Sequence, residues 1–160
     1  MQRENKIRMA VIGLGEMGKK HAALIDAGQV ENMELTCVCV HKESGLAWTA
    51  EHLGKSVRAV VGIDNLFRHD KEFDALLIAT PHRDHLESMR YACRYGKHVF
   101  CEKPAGISVS EADDMEEEAK KSGIIYTLMF HHRKYECYKD LKRQLDEKKV
   151  GTIFRIEQES

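Results

Sequence analysis

A glycine-rich segment between a strand and a helix restricts the possible folds of this chain more than any other feature. Lys6–Ile12 (KIRMAVI) has the apolar character of a strand, and Glu16–Ala27 has the spacing of a helix. The motif GLGEMG, residues 13–18, joins the two. Its first glycine permits a tight turn, and its third permits close packing of helix on strand. This context is typical of the first unit of a parallel α/β sheet.

The same alternation of strand and helix continues along the chain. Five further apolar runs are predicted as strands: Glu34–Val40, Val57–Val61, Ala75–Ala79, His98–Cys101 and Ile124–Phe130. The inward faces of the helices between them are predicted to carry Leu46, Ala50 and Leu53, then Leu86, Met89 and Cys93, then Ala112, Met115 and Ala119. The last of these helices begins at the capping box Ser108–Glu111 and ends near Gly123. We therefore predict an α/β fold built on a doubly wound parallel sheet.

The C-terminal segment breaks this pattern. A charged helix is predicted over Glu136–Lys148, and Thr152–Glu157 (TIFRIE) alternates like a strand. No later segment can pair with that strand. We predict a nucleotide-binding domain over residues 1–150 and the start of a truncated second domain over 151–160. An unpaired strand tends to find another edge, so we expect either a disordered segment after about Gly151 or pairing of this segment with a second copy of the chain.

Composition restricts the classes of partner. The 160 residues carry 25 basic and 26 acidic side chains, so no basic surface predicts nucleic-acid binding. No apolar run approaches the ~20 residues that cross a bilayer, and the charged N-terminus does not resemble a secretory signal. We expect a soluble, cytoplasmic protein. Five cysteines without a CxxC pair predict buried free thiols rather than disulfides or zinc ligands: Cys37, Cys39, Cys93, Cys101 and Cys137.

The second glycine of the motif predicts a ligand. Gly15 would let the backbone approach a pyrophosphate, and the following helix N-terminus offers free N–H groups. The predicted cofactor contacts in this loop are Gly13, Gly15, Glu16 and Met17. The alternative is a tight turn without a ligand.

The end of the second strand bears on the choice of cofactor. Dinucleotide sites usually hold an acidic residue there, against the adenosine ribose. This chain has Val40-His41-Lys42 instead. His41 and Lys42 could face the 2′-phosphate of NADP, or Lys42 could be an exposed loop lysine. NAD or NADP therefore both remain candidates.

Two longer motifs carry a family resemblance. Residues 79–85 (ATPHRDH) and 96–104 (GKHVFCEKP) closely resemble the glucose–fructose oxidoreductase/inositol dehydrogenase (Gfo/Idh/MocA) family. The EKP tripeptide, at this distance from the glycine motif, is far more specific than the glycines alone. The resemblance runs from the glycine loop to Gly151 and implies a Rossmann NAD(P)-binding fold.

The resemblance also implies roles for single residues. It assigns cofactor contacts to Thr80, Pro81, His82, His85, Glu102, Lys103, His131 and Arg133. His82 stands where the family usually has Asn, which departs from the family pattern. Lys103 matches the lysine between the nicotinamide and the reacting carbon, so it is the predicted catalytic residue.

Chemistry supports this placement of Lys103. Removing a hydride from an alcohol requires stabilisation of the developing negative charge on oxygen, which an ammonium provides. Lys103 follows a parallel strand, and open α/β sheets bind ligands at the carboxyl ends of their strands. The alternative is a surface lysine paired with Glu102. A metal site at His131 and His132 is not predicted, because adjacent strand residues point to opposite faces.

Family members also resemble one another in a second, α+β half that carries a catalytic histidine. We expect this chain to lack that half, with TIFRIE as its first strand, and to be catalytically incomplete alone. The predicted function is the NAD(P)-binding domain of an oxidoreductase acting on a sugar or polyol substrate. The alternative is a non-catalytic dinucleotide-binding module, truncated or needing a partner chain to complete its site.

Overall fold

A six-stranded parallel sheet forms the centre of the computed structural model, which describes residues 6–155 and 157. Its strands are β1 (Ile7–Ile12), β2 (Met33–Val40), β3 (Arg58–Val61), β4 (Ala75–Ile78), β5 (His98–Cys101) and β6 (Tyr126–Leu128). Each strand coincides closely with a predicted apolar run, although β3, β4 and β6 are shorter than predicted. The predicted doubly wound α/β fold is confirmed.

The strand order β3-β2-β1-β4-β5-β6 places a switch point between β1 and β4. The chain adds strands on one side of β1 up to β3, and then crosses to the other side for β4. Met9 to Ile12 pair in parallel with Ala75 to Ile78 across this seam. Since all the strands run in the same direction, their carboxyl ends lie along one edge, where sheets of this order bind ligands.

Helices cover both faces of the sheet. They are α1 (Glu16–Asp26), α2 (Ser44–His52), α3 (Ile63–Phe67), α4 (His85–Arg94) and α5 (Val109–Ser122). Met9 and Val11 of β1 pack in one buried cluster with residues of α1, whereas Ala10 and Ile12 pack in a second cluster with residues of α4 and α5. Burial on both faces explains why these strands are continuously apolar.

Two helix predictions have different outcomes. Ser108 caps α5 as predicted, because its hydroxyl accepts a hydrogen bond from the Glu111 N–H, and Gly123 ends the helix in the left-handed region at φ +67°. In α2, the predicted inward position of Ala50 is wrong. Ala50 is exposed and Thr49 is buried, since the Thr49 hydroxyl donates to the Gly45 carbonyl and so satisfies its polar atom.

The residues from Phe130 onward form a separate compact unit. It contains a 3-10 turn at His131–Lys134 and the helix α6 (Glu136–Asp146), none of whose residues is buried. The predicted strand over Thr152–Glu157 is wrong for residues 152–155, which form no ladder, because a strand requires a partner for its backbone groups. Ile156 lies outside the described residues. Pairing of this segment with a second copy therefore has no strand to support it, and the domain boundary at residue 150 stays a prediction.

Among the described residues, no helix combines the length and the apolar character that crossing a bilayer requires.

The cysteines of the described chain are all free, but not all buried. Cys37, Cys39 and Cys101 lie in the core, and Cys93 is half-buried. The prediction of burial is wrong for Cys137, which is exposed because α6 buries none of its residues.

The ion pair of Arg8 and Asp74 joins the start of β1 to the turn before β4. The Asp74 carboxylate accepts from the Arg8 backbone N–H and from its Nε, each at 3.0 Å, and these bonds hold the pKa of Asp74 below its usual range. This pair contributes stability above the unfolded pKa of about 4, and the contribution is lost as pH falls through the lower native pKa. We expect Asp74→Asn to lower the free energy of unfolding at pH 7 by about 1 kcal/mol, because the pair is partly exposed. Urea unfolding should show this difference shrinking towards pH 2–3.

The control for this change is Asp113→Asn, which removes a carboxylate from the exposed face of α5. A constant difference between wild type and Asp74→Asn from neutral to acidic pH would contradict the role given to the carboxylate.

Thiol reactivity should separate the exposed cysteine from the core ones. Burial raises the pKa of Cys37 to about 11 and the pKa values of Cys39 and Cys101 to about 12, so few thiolates form at pH 8. We expect Cys137 to react first with a disulfide reagent in the folded chain, and Cys137→Ser to remove this fast phase. A fast phase that persists in Cys137→Ser would show that the half-buried Cys93 or a core thiol is accessible.

Candidate functional site

Two glycines of the GLGEMG loop are required by the packing of the fold itself. Gly13 has a φ of +90°, and a Cβ added there would lie 2.6 Å from the Ala79 carbonyl oxygen. A Cβ at Gly18 would lie 1.8 Å from the Gly13 carbonyl oxygen. Since no side chain fits at either place, β1, α1 and the end of β4 approach one another through bare backbone.

Gly15 has no such explanation within the fold. Its φ of −71° suits any residue, and a Cβ there would meet no atom within 4 Å. It is the N-cap of α1 and makes no side-chain capping bond, and Glu16 and Met17 in the first turn are exposed. Open space beside a helix N-terminus is the arrangement in which backbone N–H groups hold an anionic group such as a pyrophosphate.

A cleft of about 680 Å³ opens at the carboxyl edge of the sheet, at the switch point. It is lined by the glycine loop, by the end of β2 through His41 and Lys42, and by the loop after β4 through Thr80 and Pro81. Its volume lies in the range of cofactor sites. The sequence predictions for Gly13, Gly15, His41, Lys42, Thr80 and Pro81 thus converge on one cavity.

Thr80 carries a buried polar atom with no partner. Within the described residues, its hydroxyl oxygen has no hydrogen-bond partner and is shielded from solvent. A buried hydroxyl of this kind is destabilising unless a ligand or water bonds it. Because Thr80 lines the cleft, this hydroxyl fits a polar group of a bound dinucleotide.

The rim of the cleft at β2 has cationic rather than acidic character. His41 and Lys42 are both exposed there, next to Ser44 and Gly45 at the start of α2. No carboxylate from the β2 end lines the cleft in the part of the chain that the structure describes. This cationic rim lies at the end of β2, where the sequence predicts that a 2′-phosphate is tolerated.

The two histidines after β4 differ in their surroundings. His82 is exposed in a 3-10 turn, and the cleft lining does not include it. His85 is fully buried, and its ring bonds the backbone carbonyls of Thr80 at 2.9 Å and Pro104 at 3.0 Å. It thus joins the loop after β4 to the loop after β5. Direct contacts of His82 and His85 with the cofactor stay predictions.

Glu102 and Lys103 follow β5 and have contrasting exposure. The Glu102 side chain is nearly buried, and its carboxylate contacts His21 and the backbone N–H of Lys103. Lys103 is exposed, and its ammonium makes no ion pair with any of the described residues. The alternative of a surface lysine paired through its ammonium with Glu102 therefore does not match these contacts.

His21 is the residue that sequence reasoning missed. It lies on α1 with Gly18, Ala22 and Ile25, at the spacing i, i+3, i+4, i+7 that marks the inward face of a helix. A histidine on an apolar stripe requires a polar partner. That partner, Glu102, lies 81 positions later. The stripe could have identified His21, but not its partner.

His131 and Arg133 belong to the unit that begins at Phe130. Both are exposed, and the Arg133 guanidinium lies 5.0 Å from the Phe130 ring centroid. The reason given for opposing a shared metal ion, alternation along a strand, is wrong: a 3-10 turn brings the rings of His131 and His132 to 4.3 Å. The described residues contain no group of three or more potential metal ligands. The cofactor contacts of His131 and Arg133 stay predictions.

Comparison with known proteins agrees with this geometry. Residues 7–130 match the profile of the family described as "Oxidoreductase family, NAD-binding Rossmann fold" (GFO_IDH_MocA). The chain is 31% identical over 148 residues to scyllo-inositol 2-dehydrogenase (NAD(+)) of Bacillus subtilis, covering 92% of this chain and 42% of that protein. It is 30% identical over 151 residues to scyllo-inositol 2-dehydrogenase (NADP(+)) of the same organism, covering 94% and 44%.

A solved structure shows the same fold with ligands bound. Scyllo-inositol dehydrogenase from Lactobacillus casei, with bound NAD(H) and scyllo-inositol, superposes with a TM-score of 0.80 at 29% identity. The match covers 92% of this chain and 43% of that one. The chain thus spans less than half the length of these relatives. With the family profile matched over most of its length, the chain belongs to the Gfo/Idh/MocA oxidoreductase family and forms its NAD-binding Rossmann domain.

Proposed function

We propose that the cleft binds NAD(H) or NADP(H), and that the whole protein transfers a hydride between the nicotinamide and a hydroxyl or ketone of a sugar or polyol. The observation that carries the proposal is the open space at Gly15, where no atom of the fold requires a glycine. The unpartnered Thr80 hydroxyl supports it independently. Relatives named as inositol dehydrogenases favour a cyclic polyol as the substrate.

The proposed binding mode assigns a task to each part of the cleft. Backbone N–H groups at Gly15, Glu16 and Met17 hold the pyrophosphate, since the helix N-terminus carries about half a positive charge. Lys42 and His41 face the adenosine ribose. Thr80 and Pro81 border the other side of the cleft, towards β5.

The proposed chemistry is centred on Lys103. When bound, the nicotinamide ring supplies the site that accepts or gives the hydride. Lys103 donates a hydrogen bond from its ammonium to the substrate oxygen and stabilises its negative charge. Its place after β5, at the carboxyl edge of the sheet, and its lack of an ion pair among the described residues leave the ammonium available.

We further infer a reducing compartment such as the cytoplasm. All five cysteines are unpaired, and free thiols persist where glutathione and thioredoxin keep them reduced.

Dinucleotide binding should depend on the open space at Gly15. Gly15→Ala places a methyl group where the pyrophosphate would lie, so we expect calorimetry to show at least about tenfold weaker binding, or about 1.4 kcal/mol, with little change in the melting temperature. Gly18→Ala should instead lower the melting temperature, because its Cβ meets the Gly13 carbonyl. Gly54→Ala adds a methyl group outside the cleft, 3.1 Å from the Asp26 carboxylate, and is the control for dinucleotide affinity. Unchanged affinity in a folded Gly15→Ala chain, or no binding by wild type, would overturn the proposal.

Lys42 should discriminate between the two cofactors. We expect Lys42→Ala to weaken NADP(H) binding by about 1 kcal/mol or more and to leave NAD(H) binding nearly unchanged, because one charged hydrogen bond to the 2′-phosphate is lost. Lys55→Ala removes another exposed lysine, away from the cleft, and is the control. Equal weakening of both cofactors would show that Lys42 does not face the 2′ position.

A further inference from the structure

The geometry points to His21 as a positioning residue for Lys103, acting through the carboxylate of Glu102. This inference rests on the proposed function, in which Lys103 is the catalytic lysine. None of the predicted roles includes His21.

The contact itself is short and shielded. His21 Nε2 lies 2.7 Å from Glu102 Oε1, and the two side chains are 20% and 11% exposed. Because a carboxylate only accepts hydrogen bonds, the Nε2 of His21 carries the proton and donates it, whichever charge the ring has. The carboxylate thereby selects the tautomer of the ring.

The second oxygen of Glu102 faces the catalytic loop. Glu102 Oε2 accepts a hydrogen bond from the Lys103 backbone N–H at 3.2 Å. One carboxylate therefore joins a ring on α1 to the backbone of the lysine. The two groups that Glu102 joins differ in their support. The His21 ring belongs to a regular helix, whereas Lys103 is exposed beyond the end of β5.

Burial makes this arrangement depend on His21. A nearly buried carboxylate is destabilised unless its oxygens are bonded. Without His21, Glu102 Oε1 has no donor among its contacts in the structure. Glu102 would then turn towards water and release the Lys103 N–H.

The position of His21 in the chain gives the contact its significance. α1 begins at the glycine loop, and His21 lies one turn after Gly18. The helix whose N-terminus is proposed to hold the pyrophosphate thus also holds the loop of the proposed catalytic lysine. This pair thus links the position of the lysine to that of the cofactor.

The test follows the Lys103 backbone N–H by NMR hydrogen exchange in the chain without dinucleotide. In His21→Leu we expect this amide to exchange about tenfold faster than in wild type, because one charged hydrogen bond no longer fixes Glu102. His21→Gln places an N–H donor near the same point and should restore the rate to within about threefold of wild type. Amides of β1 and β4 should keep their wild-type rates.

His69→Leu is the matched control, since His69 also pairs with a glutamate, Glu72, at 3.2 Å, before β4 and at the opposite edge of the sheet. It should leave the Lys103 amide unchanged. Should His21→Leu fail to fold, His21→Phe decides, because it keeps the bulk of the ring, removes the Nε2 donor and should accelerate exchange at the Lys103 amide to the same extent.

An unchanged Lys103 rate in folded His21→Leu, or equal acceleration in His69→Leu, would overturn the inference. So would an unchanged rate in folded His21→Phe. Calorimetric titration of the same samples with NAD(H) and NADP(H) tests the proposed function separately. Failure of wild type to bind either would sink that proposal, while the exchange rates still decide whether His21 orders the lysine loop.

Discussion

The contact on which the site depends is the one between Gly18 and the backbone of Gly13. A side chain at Gly18 would overlap the Gly13 carbonyl and press on Ala79. Because Gly18 has no side chain, α1 can begin directly against the ends of β1 and β4. The helix N-terminus consequently lies at the cleft, Gly15 has free space in front of it, and His21 reaches Glu102 one turn later. A helix displaced by the width of a methyl group would lose all three relations together.

Histidines hold the loops that follow β4 and β5. His85 is buried between the carbonyls of Thr80 and Pro104, so the cleft lining after β4 and the segment after Lys103 share one ring. His21 holds the second loop from the side of α1. His85 bonds backbone carbonyls that lie beyond the ends of the strands, and His21 bonds a nearly buried carboxylate. Rigid support of this kind keeps the side chains of a functional site within the small range of positions that such a site requires.

The fold could be predicted from the sequence to a greater extent than the site. Strands buried on both faces, such as β4, are continuously apolar, and their order along the chain specifies a parallel sheet. In the short helix α2 the inward position predicted for Ala50 is wrong, because three apolar positions do not define a face when a threonine can satisfy its hydroxyl on its own backbone. Residues 152–155 alternate between apolar and polar side chains as a strand does. Such alternation indicates which side chains could be buried, but it does not show that a partner strand is present. The pairing of His21 with Glu102 is set by the crossing of distant elements, which periodicity does not encode.

The seam between β1 and β4 gives the cleft a role in the cohesion of the domain. The two strands lie at the centre of the sheet, and the segments that line the cleft continue from both sides of the seam. A molecule seated there contacts both halves of the sheet at once and is lost when they separate. Bound ligand therefore raises the free energy needed to open the seam. The increase is about 2.7 kcal/mol at a ligand concentration one hundredfold above Kd. In a cell, the nucleotide pool would thus set how often the sheet opens to proteases, and the lifetime of the domain would follow the supply of its cofactor.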